Sequence, residues 1–276
     1  MAEPTPLPDP AAAGPDPALL DRFAPFYDLE YGDYDADLDF FRNAAAQAAP
    51  GPGRPARVLE LACGSGRVLL ALARAGHHCT GVDIAPAMLA LARERAARAG
   101  QRAGIQLVEA RIEALPAGLG PFDLALCALN SFAYLPTQDA QIAMLTGVQP
   151  RLRPGGRLIL DLSPVDADGP FPANGELIHQ GTWARPDGGT VLKFVSGLWD
   201  PVAQQQHVHW VYDEVDAAGQ IRRTIIPQTI RYTYRWEAQL LLERAGFHLA
   251  ALYGSYECDP YTAGAARLIV VGQRDG

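Results

Sequence analysis

Lysine is nearly absent from this chain, and no stretch of it builds a basic face. Its 276 residues carry 31 Asp and Glu against 23 Lys and Arg, a net charge of −8. Nucleic-acid binders draw most of their affinity from cationic side chains that neutralise phosphates. A DNA or RNA partner is therefore disfavoured. No apolar run approaches the roughly 20 residues of a membrane span, and the N-terminus lacks the basic-then-apolar pattern of a signal peptide. The expectation is a soluble, cytoplasmic protein without a membrane partner. Cysteine is scarce too: Cys63, Cys79, Cys127 and Cys258 are scattered and never form C-x-x-C, which argues against a zinc site and a disulfide framework. His207 and His209 share a strand face without a third ligand, so no metal is expected.

With 49% apolar and 20% charged residues, the chain can bury one full core with a small added layer. Residues 1–17 are rich in Pro and Ala without periodic apolar spacing and read as a disordered leader. The domain proper is expected over 18–272. Within 18–50 the apolar spacing is helical and predicts two helices around Gly32-Asp-Tyr34. Strands at Arg57–Ala62, Cys79–Asp83, Ile105–Glu109, Phe122–Ala128 and Arg157–Leu162 alternate with helices at Arg67–Ala75, Pro86–Ala99 and Thr137–Leu152, the pattern of a parallel sheet covered on both faces. Leu152-Arg-Pro-Gly-Gly156 reads as a turn before the fifth strand. From 176 to 231 the rhythm becomes short alternating runs with turn signals at Asp187-Gly-Gly189 and Ala217-Ala-Gly219, predicting an inserted antiparallel layer of about four strands. The α/β pattern then resumes with a helix at Trp236–Ala245 and strands at His248–Tyr253 and Arg267–Gly272.

The most specific feature is Val58-Leu-Glu-Leu-Ala-Cys-Gly-Ser-Gly-Arg-Val68, an apolar strand that breaks at Gly64 and Gly66 and runs into a helix. Glycines there let backbone N–H groups approach a ligand without an intervening Cβ. A dinucleotide fingerprint requires G-x-G-x-x-G, but the third glycine position holds Leu69, which weakens an NAD-dependent oxidoreductase reading. Asp83 ends the next strand, nineteen positions past Gly64, as suits a carboxylate accepting from ribose hydroxyls.

Glu60, Gly64, Gly66 and Asp83 in this order resemble the class I S-adenosylmethionine-dependent methyltransferases. The resemblance covers roughly Phe23 to Gly272 and implies a Rossmann-like α/β fold, a seven-stranded sheet whose last strand is antiparallel, with the inserted β-layer and an N-terminal helical lid. Tyr27-Asp-Leu-Glu-Tyr31, Asn130-Ser-Phe-Ala-Tyr-Leu135 and Leu241-Leu-Glu-Arg-Ala-Gly-Phe247 are further similar to small-molecule members, the sugar N,N-dimethyltransferases and glycine N-methyltransferase. The implied cofactor is S-adenosyl-L-methionine. Glu60 would meet its ammonium group, Ala62, Cys63, Gly64 and Gly66 would line its edge, and Asp83 would take the ribose, with helix capping as the alternative for Asp83. Ile84 and Met88 would contact adenine, and Ala128 would close the fourth strand's end.

Where the family often has an acid that accepts from the adenine amine, this chain has Arg111, which cannot accept. Either Glu109 serves, or the Ile112 backbone N–H and a stacked Arg111 hold the base; the second is favoured. On the acceptor side Asn130, Tyr134 and Tyr27 are the candidate catalytic residues, with turn formation as the alternative for Asn130 and aromatic packing on the core for Tyr134 and Tyr27, the last within an acidic lid of Asp28, Glu30, Asp33, Asp35 and Asp37. Methyl transfer needs mainly in-line positioning and exclusion of water, so acceptor residues are less legible than cofactor residues. The expectation is a methyltransferase acting on a small molecule, first an amine nitrogen, with O-methylation and a non-catalytic S-adenosylmethionine-binding protein as alternatives. A homodimer is compatible with the sequence, which does not set the oligomeric state.

Overall fold

The computed structural model describes residues 14–51, 53–165, 174–185 and 188–276. Most of the leader expected over 1–17 lies outside these residues. Of its end, Asp16 caps the first helix by accepting from the Ala18 N–H at 2.9 Å, and Pro17 fills the opening position, where a missing N–H costs nothing. Helix α1 (Pro17–Tyr31) and α2 (Leu38–Ala48) precede the sheet.

The main sheet has seven strands in the order β10-β11-β5-β4-β1-β2-β3. These are β1 (Arg57–Leu61), β2 (His78–Asp83), β3 (Ile105–Glu109), β4 (Phe122–Cys127), β5 (Leu152–Leu162), β10 (Phe247–Tyr253) and β11 (Leu268–Arg274). Strand β11 runs antiparallel to both its neighbours. The order reverses between β1 and β4, and at such a switch the crevice beyond the strands' carboxyl ends is left open for a ligand.

Side chains alternate across β1. Leu59 and Leu61 pack on the face covered by α5 (Gln138–Val148) and α6 (Arg235–Arg244), whereas Val58 packs on the face covered by α2, α3 (Arg67–Arg74) and α4 (Pro86–Arg98). Glu60 shares Val58's parity. That places a carboxylate inside the core beneath α3.

The second sheet, β6 (Ile178–Ala184), β7 (Thr190–Asp200), β8 (Gln205–Val215) and β9 (Ile221–Arg231), is antiparallel throughout. Val191, Tyr212 and Ile226 on its inner face join Phe23 and Phe26 of α1 and Met88 of α4 in one apolar cluster. Thus α1 is held between the added sheet and the Rossmann-like core.

Two expectations need correction. Residues 152–156 form part of β5 rather than a turn before it: Leu152 pairs with Phe122, but Leu124 next pairs with Arg157, so the intervening residues bulge within the strand, with Gly155 at φ +76°. Helix α5 stops at Val148 rather than Leu152, because Pro150 lacks the N–H that would continue it and 149–151 form a 3₁₀ turn. No helix among the described residues is long and apolar enough to cross a membrane.

Candidate active site

The turn after β1 depends on two glycines for different reasons. Gly64 (φ +53°) lies under the Tyr27 ring, and a Cβ there would sit 3.4 Å from the phenol oxygen. Gly66 (φ +76°) lies 3.1 Å, by the same measure, from Ala92 Cβ, so it lets α3 and α4 approach. The absent third glycine has a substitute on the sheet. Leu69 fills the space over Gly81 in β2, where any side chain would overlap it and come within 2.7 Å of Cys63 Sγ. Close helix–sheet packing is retained, with the glycine moved from helix to strand.

Asp83 ties the two strand ends together. One carboxylate oxygen accepts from Gly64 N–H at 2.8 Å and the other from Ala85 N–H at 2.9 Å. Burial raises its pKa, and these backbone N–H groups oppose the rise. The capping alternative does not hold, since Ala85 occupies the N-cap position of α4 without a side-chain cap and Asp83 reaches only the Ala85 N–H, while the Asp83 side chain lines a cavity.

That cavity lies between the strand ends, α1 and the added sheet. Of the candidate residues, Tyr27, Ala62, Gly64, Asp83, Ile84, Met88, Arg111, Ile112 and Tyr134 line it, while Glu60, Cys63, Gly66, Ala128 and Asn130 do not. Glu60 is 3% exposed, with Oε2 lacking any hydrogen-bond partner. Burial pushes its pKa up to about 8, against the pull of Arg67. Asn130 forms a turn: its Oδ1 accepts from Ser163 N–H at 3.0 Å and its own N–H donates to the Asp161 carbonyl, so it fastens β4 to β5. Leu129 and Asn130 both take left-handed conformations (φ 47° and 62°), each costing roughly 1–2 kcal/mol.

Arg111 has a different purpose from stacking alone. Its Nε donates to Glu113 Oε1 at 2.5 Å and Nη1 to the Pro15 carbonyl at 3.3 Å, holding an acid and the start of the described chain at one end of the cavity. Glu113 lines the cavity, whereas Glu109 is exposed and does not. Sequence reasoning missed Glu113, although it lies two positions beyond Arg111.

Three of the five lid acids are engaged within the fold, while Asp33 and Asp35 are exposed. Asp28 accepts from Ser65 Oγ and Arg95, both at 2.7 Å; Glu30 accepts from Lys193, the chain's single lysine, and from Tyr212. Asp37 forms a fully buried two-point pair with Arg67 at 2.5 and 2.6 Å. Arg67 also donates to the Tyr34 carbonyl at 2.8 Å, fixing the joint between α1 and α2. Arg67, directly after the glycine turn, was another residue sequence reasoning passed over.

The far wall is aromatic: Phe23, Tyr27, Tyr31, Tyr134 and Trp210. Phe23 packs 4.8 Å from Trp210, and Tyr134 meets Trp210 edge-on at 6.2 Å between centroids. Burial raises the pKa of Tyr27 and Tyr134 and pushes Tyr31 up to about 12. Phe23 and Trp210 escaped sequence reasoning, since 187 positions of sequence separate them. No cluster of three or more His, Cys, Asp and Glu suited to a metal occurs among the described residues.

Known proteins bear on this geometry. A methyltransferase-domain family model matches residues 58–156. The demethylmenaquinone methyltransferase of Thermus thermophilus is 33% identical over 184 residues, which span 65% of this chain and 76% of that protein. The chain belongs to the S-adenosylmethionine-dependent methyltransferases. This methyltransferase is also 28% identical to the cypemycin N-terminal methyltransferase of a Streptomyces species, over 79% of this chain and 82% of that one. It superposes on the CcbJ methyltransferase of Streptomyces caelestis with a TM-score of 0.74 at 26% identity, covering 95% of this chain and 100% of that one.

The residues present fit S-adenosylmethionine. Gly64 brings backbone close to the cavity, Asp83 has acceptor capacity left for a diol, Ile84, Met88 and Ile112 supply an apolar slot, and Glu113 offers an acceptor beside it. The unpartnered Glu60 oxygen lies beneath the same turn.

Proposed function

We propose that this methyltransferase alkylates the nitrogen of a small amine, with S-adenosylmethionine along the Gly64, Asp83 and Ile112 side of the cavity and the acceptor against the aromatic wall. When bound, the cofactor supplies a methyl carbon made electrophilic by a sulfonium. Asp83 accepts from the ribose hydroxyls, Ile84 and Met88 flank the adenine, and Glu113, steadied by Arg111, accepts from its amine. Glu60, protonated at neutral pH because burial pushes its pKa up to about 8, ionises beneath the glycine turn as the cofactor's ammonium group arrives.

The observation that carries the choice of nitrogen is the composition of the acceptor wall. Phe23, Tyr27, Tyr31, Tyr134 and Trp210 present rings and phenols but no available base. Asp83 and Glu113 lie on the side assigned to the cofactor, and phenols with raised pKa values stay protonated. An alcohol holds its proton at neutral pH and needs a positioned base as it attacks. An amine that enters deprotonated attacks through its own lone pair and needs only alignment and dryness. As the N–C bond forms and the C–S bond breaks, positive charge passes from sulfur to nitrogen, and ring faces attract it throughout. Tyr27, over Gly64, and Tyr134 hold the two reactants in line and close the site to water.

The cypemycin N-terminal methyltransferase supports an amine acceptor by analogy. The test is incubation with methyl-labelled cofactor and matched panels of small amines, alcohols and phenols, followed by mass spectrometry. N-methyl products are expected. Products methylated only at oxygen would overturn the choice of nitrogen, and cofactor binding without any methylated product would overturn catalysis.

A further inference from the structure

Ser65 stands between the two glycines of the turn after β1 and has no solvent exposure. Its Oγ donates to Asp28 Oδ1 on α1 at 2.7 Å, and Arg95 of α4 donates to the same oxygen at 2.7 Å. The neighbours of this pair also touch. Tyr27 precedes Asp28, Gly64 precedes Ser65, and the Tyr27 ring lies over Gly64, where a Cβ would sit 3.4 Å from the phenol oxygen. Lid helix and glycine turn thus meet at two consecutive points, one aromatic and one polar. Arg95 lies one helical turn beyond Ala92, whose Cβ approaches Gly66, so the same face of α4 supports both the turn and the tie. The helix has a reason to need it. Pro25 sits inside α1 and has no N–H to give the Asp21 carbonyl, so one rung is missing between the two halves. Each half carries its own anchor. In the first, Asp21 accepts from the Ala87 N–H at 2.9 Å; in the second, Glu30 reaches the added sheet and Asp28 reaches the glycine turn.

We propose that Ser65 and Asp28 are positioning residues whose hydrogen bond sets α1 on the glycine turn and so aims the Tyr27 ring at the cofactor's sulfur. A ring face attracts a sulfonium and has no such attraction for the neutral thioether left once the methyl has gone. The tie therefore weights binding toward the charged cofactor over its spent form. Asp28 does this without offering its own charge to the ligand, because Ser65 and Arg95 share its oxygen and its side chain does not line the cavity.

The inference rests on the cavity being the cofactor site, so the experiment reads the two separately. Calorimetry compares S-adenosylmethionine with S-adenosylhomocysteine, the same molecule without its methyl and its charge, on wild type, Ser65→Ala, Tyr27→Leu, the double variant and Asp83→Ala. In Ser65→Ala the neutral ligand should bind within about twofold of wild type, while the ratio of the two affinities shifts about fivefold against the sulfonium, the scale of one cation–ring contact. Tyr27→Leu should show a shift at least as large. The double variant should match Tyr27→Leu, because the Ser65 hydroxyl acts through the ring. An unmoved ratio in Ser65→Ala, an equal loss for both ligands, or shifts that multiply in the double variant would overturn the proposal. If Ser65→Ala does not fold, Asp28→Asn decides. A shift of the same sign that disappears in the Tyr27→Leu background supports the tie, and an unmoved ratio, or a shift that persists there, overturns it. Undiminished binding of both ligands by Asp83→Ala would instead strike at the cavity reading, whereas lost binding there with an unmoved ratio in Ser65→Ala would overturn the positioning role alone.

Discussion

The two ends of the cavity are built by different means. The glycine-turn end is made of backbone: Gly64 N–H and Ala85 N–H converge on Asp83, and the partners lie 19 and 2 positions away in sequence. The aromatic end is made of side chains from α1 and the added sheet, and its ties from Glu30 to Lys193 and Tyr212 span 163 and 182 positions. Backbone geometry restricts which residues can occupy a turn, so the first end leaves a readable pattern. Side-chain packing accepts many solutions, so the second does not. A cofactor common to many enzymes can be held by the first kind of construction, and an acceptor particular to one enzyme by the second.

The largest expected effect tests whether the lid's charge is structural. Asp37→Ala would leave Arg67 buried without its partner, and chemical denaturation should show a loss of about 3–5 kcal/mol. A change under about 1 kcal/mol would mean that the buried Asp37–Arg67 pair does not hold this segment. Asp83→Ala should weaken S-adenosylmethionine binding at least a hundredfold by calorimetry, with a stability loss of about 1–3 kcal/mol from the two N–H groups it strands. Near-native affinity would remove Asp83 from the cofactor end.

Glu60 gives a prediction in pH. Its pKa is raised in the folded protein to about 8 from an ordinary 4.5, so the unfolded chain releases this proton first. Stability from this group is fully present below pH 4.5 and falls as pH rises toward 8, by an amount on the order of a few kcal/mol. Glu60→Gln should flatten that decline, and an unchanged pH profile would mean that Glu60 is ionised in the fold. Tyr27→Phe is the mildest. Cofactor affinity should change less than twofold, while turnover with an amine acceptor drops about tenfold, the scale of one hydrogen bond. Equal turnover would return Tyr27 to a packing role.

The sequence was informative wherever a backbone requirement dictates residue type. Gly64, Gly66 and Asp83 fall where their order implied, and the strands sit within a residue or two of their expected limits, β5 excepted. Leu69 correctly argued against a dinucleotide, yet the compensating Gly81 looked like an ordinary strand residue. Glu60 was identified by motif, but only the parity of β1 shows that it lies in the core beneath α3. Asn130 belongs to a strained turn whose partners Asp161 and Ser163 are on another strand. Arg111 departed from the family pattern because it holds Glu113 and Pro15, a relation invisible until the chain folds back. Phe23 and Trp210 meet only once the added sheet is in place.

A crystal structure with S-adenosylhomocysteine tests the central claim most directly. The account predicts its ribose on Asp83, its adenine among Ile84, Met88 and Ile112 near Glu113, and its sulfur facing the ring cluster of Tyr27, Tyr134 and Trp210. Density for the ligand elsewhere, or with its sulfur directed away from those rings, would contradict it.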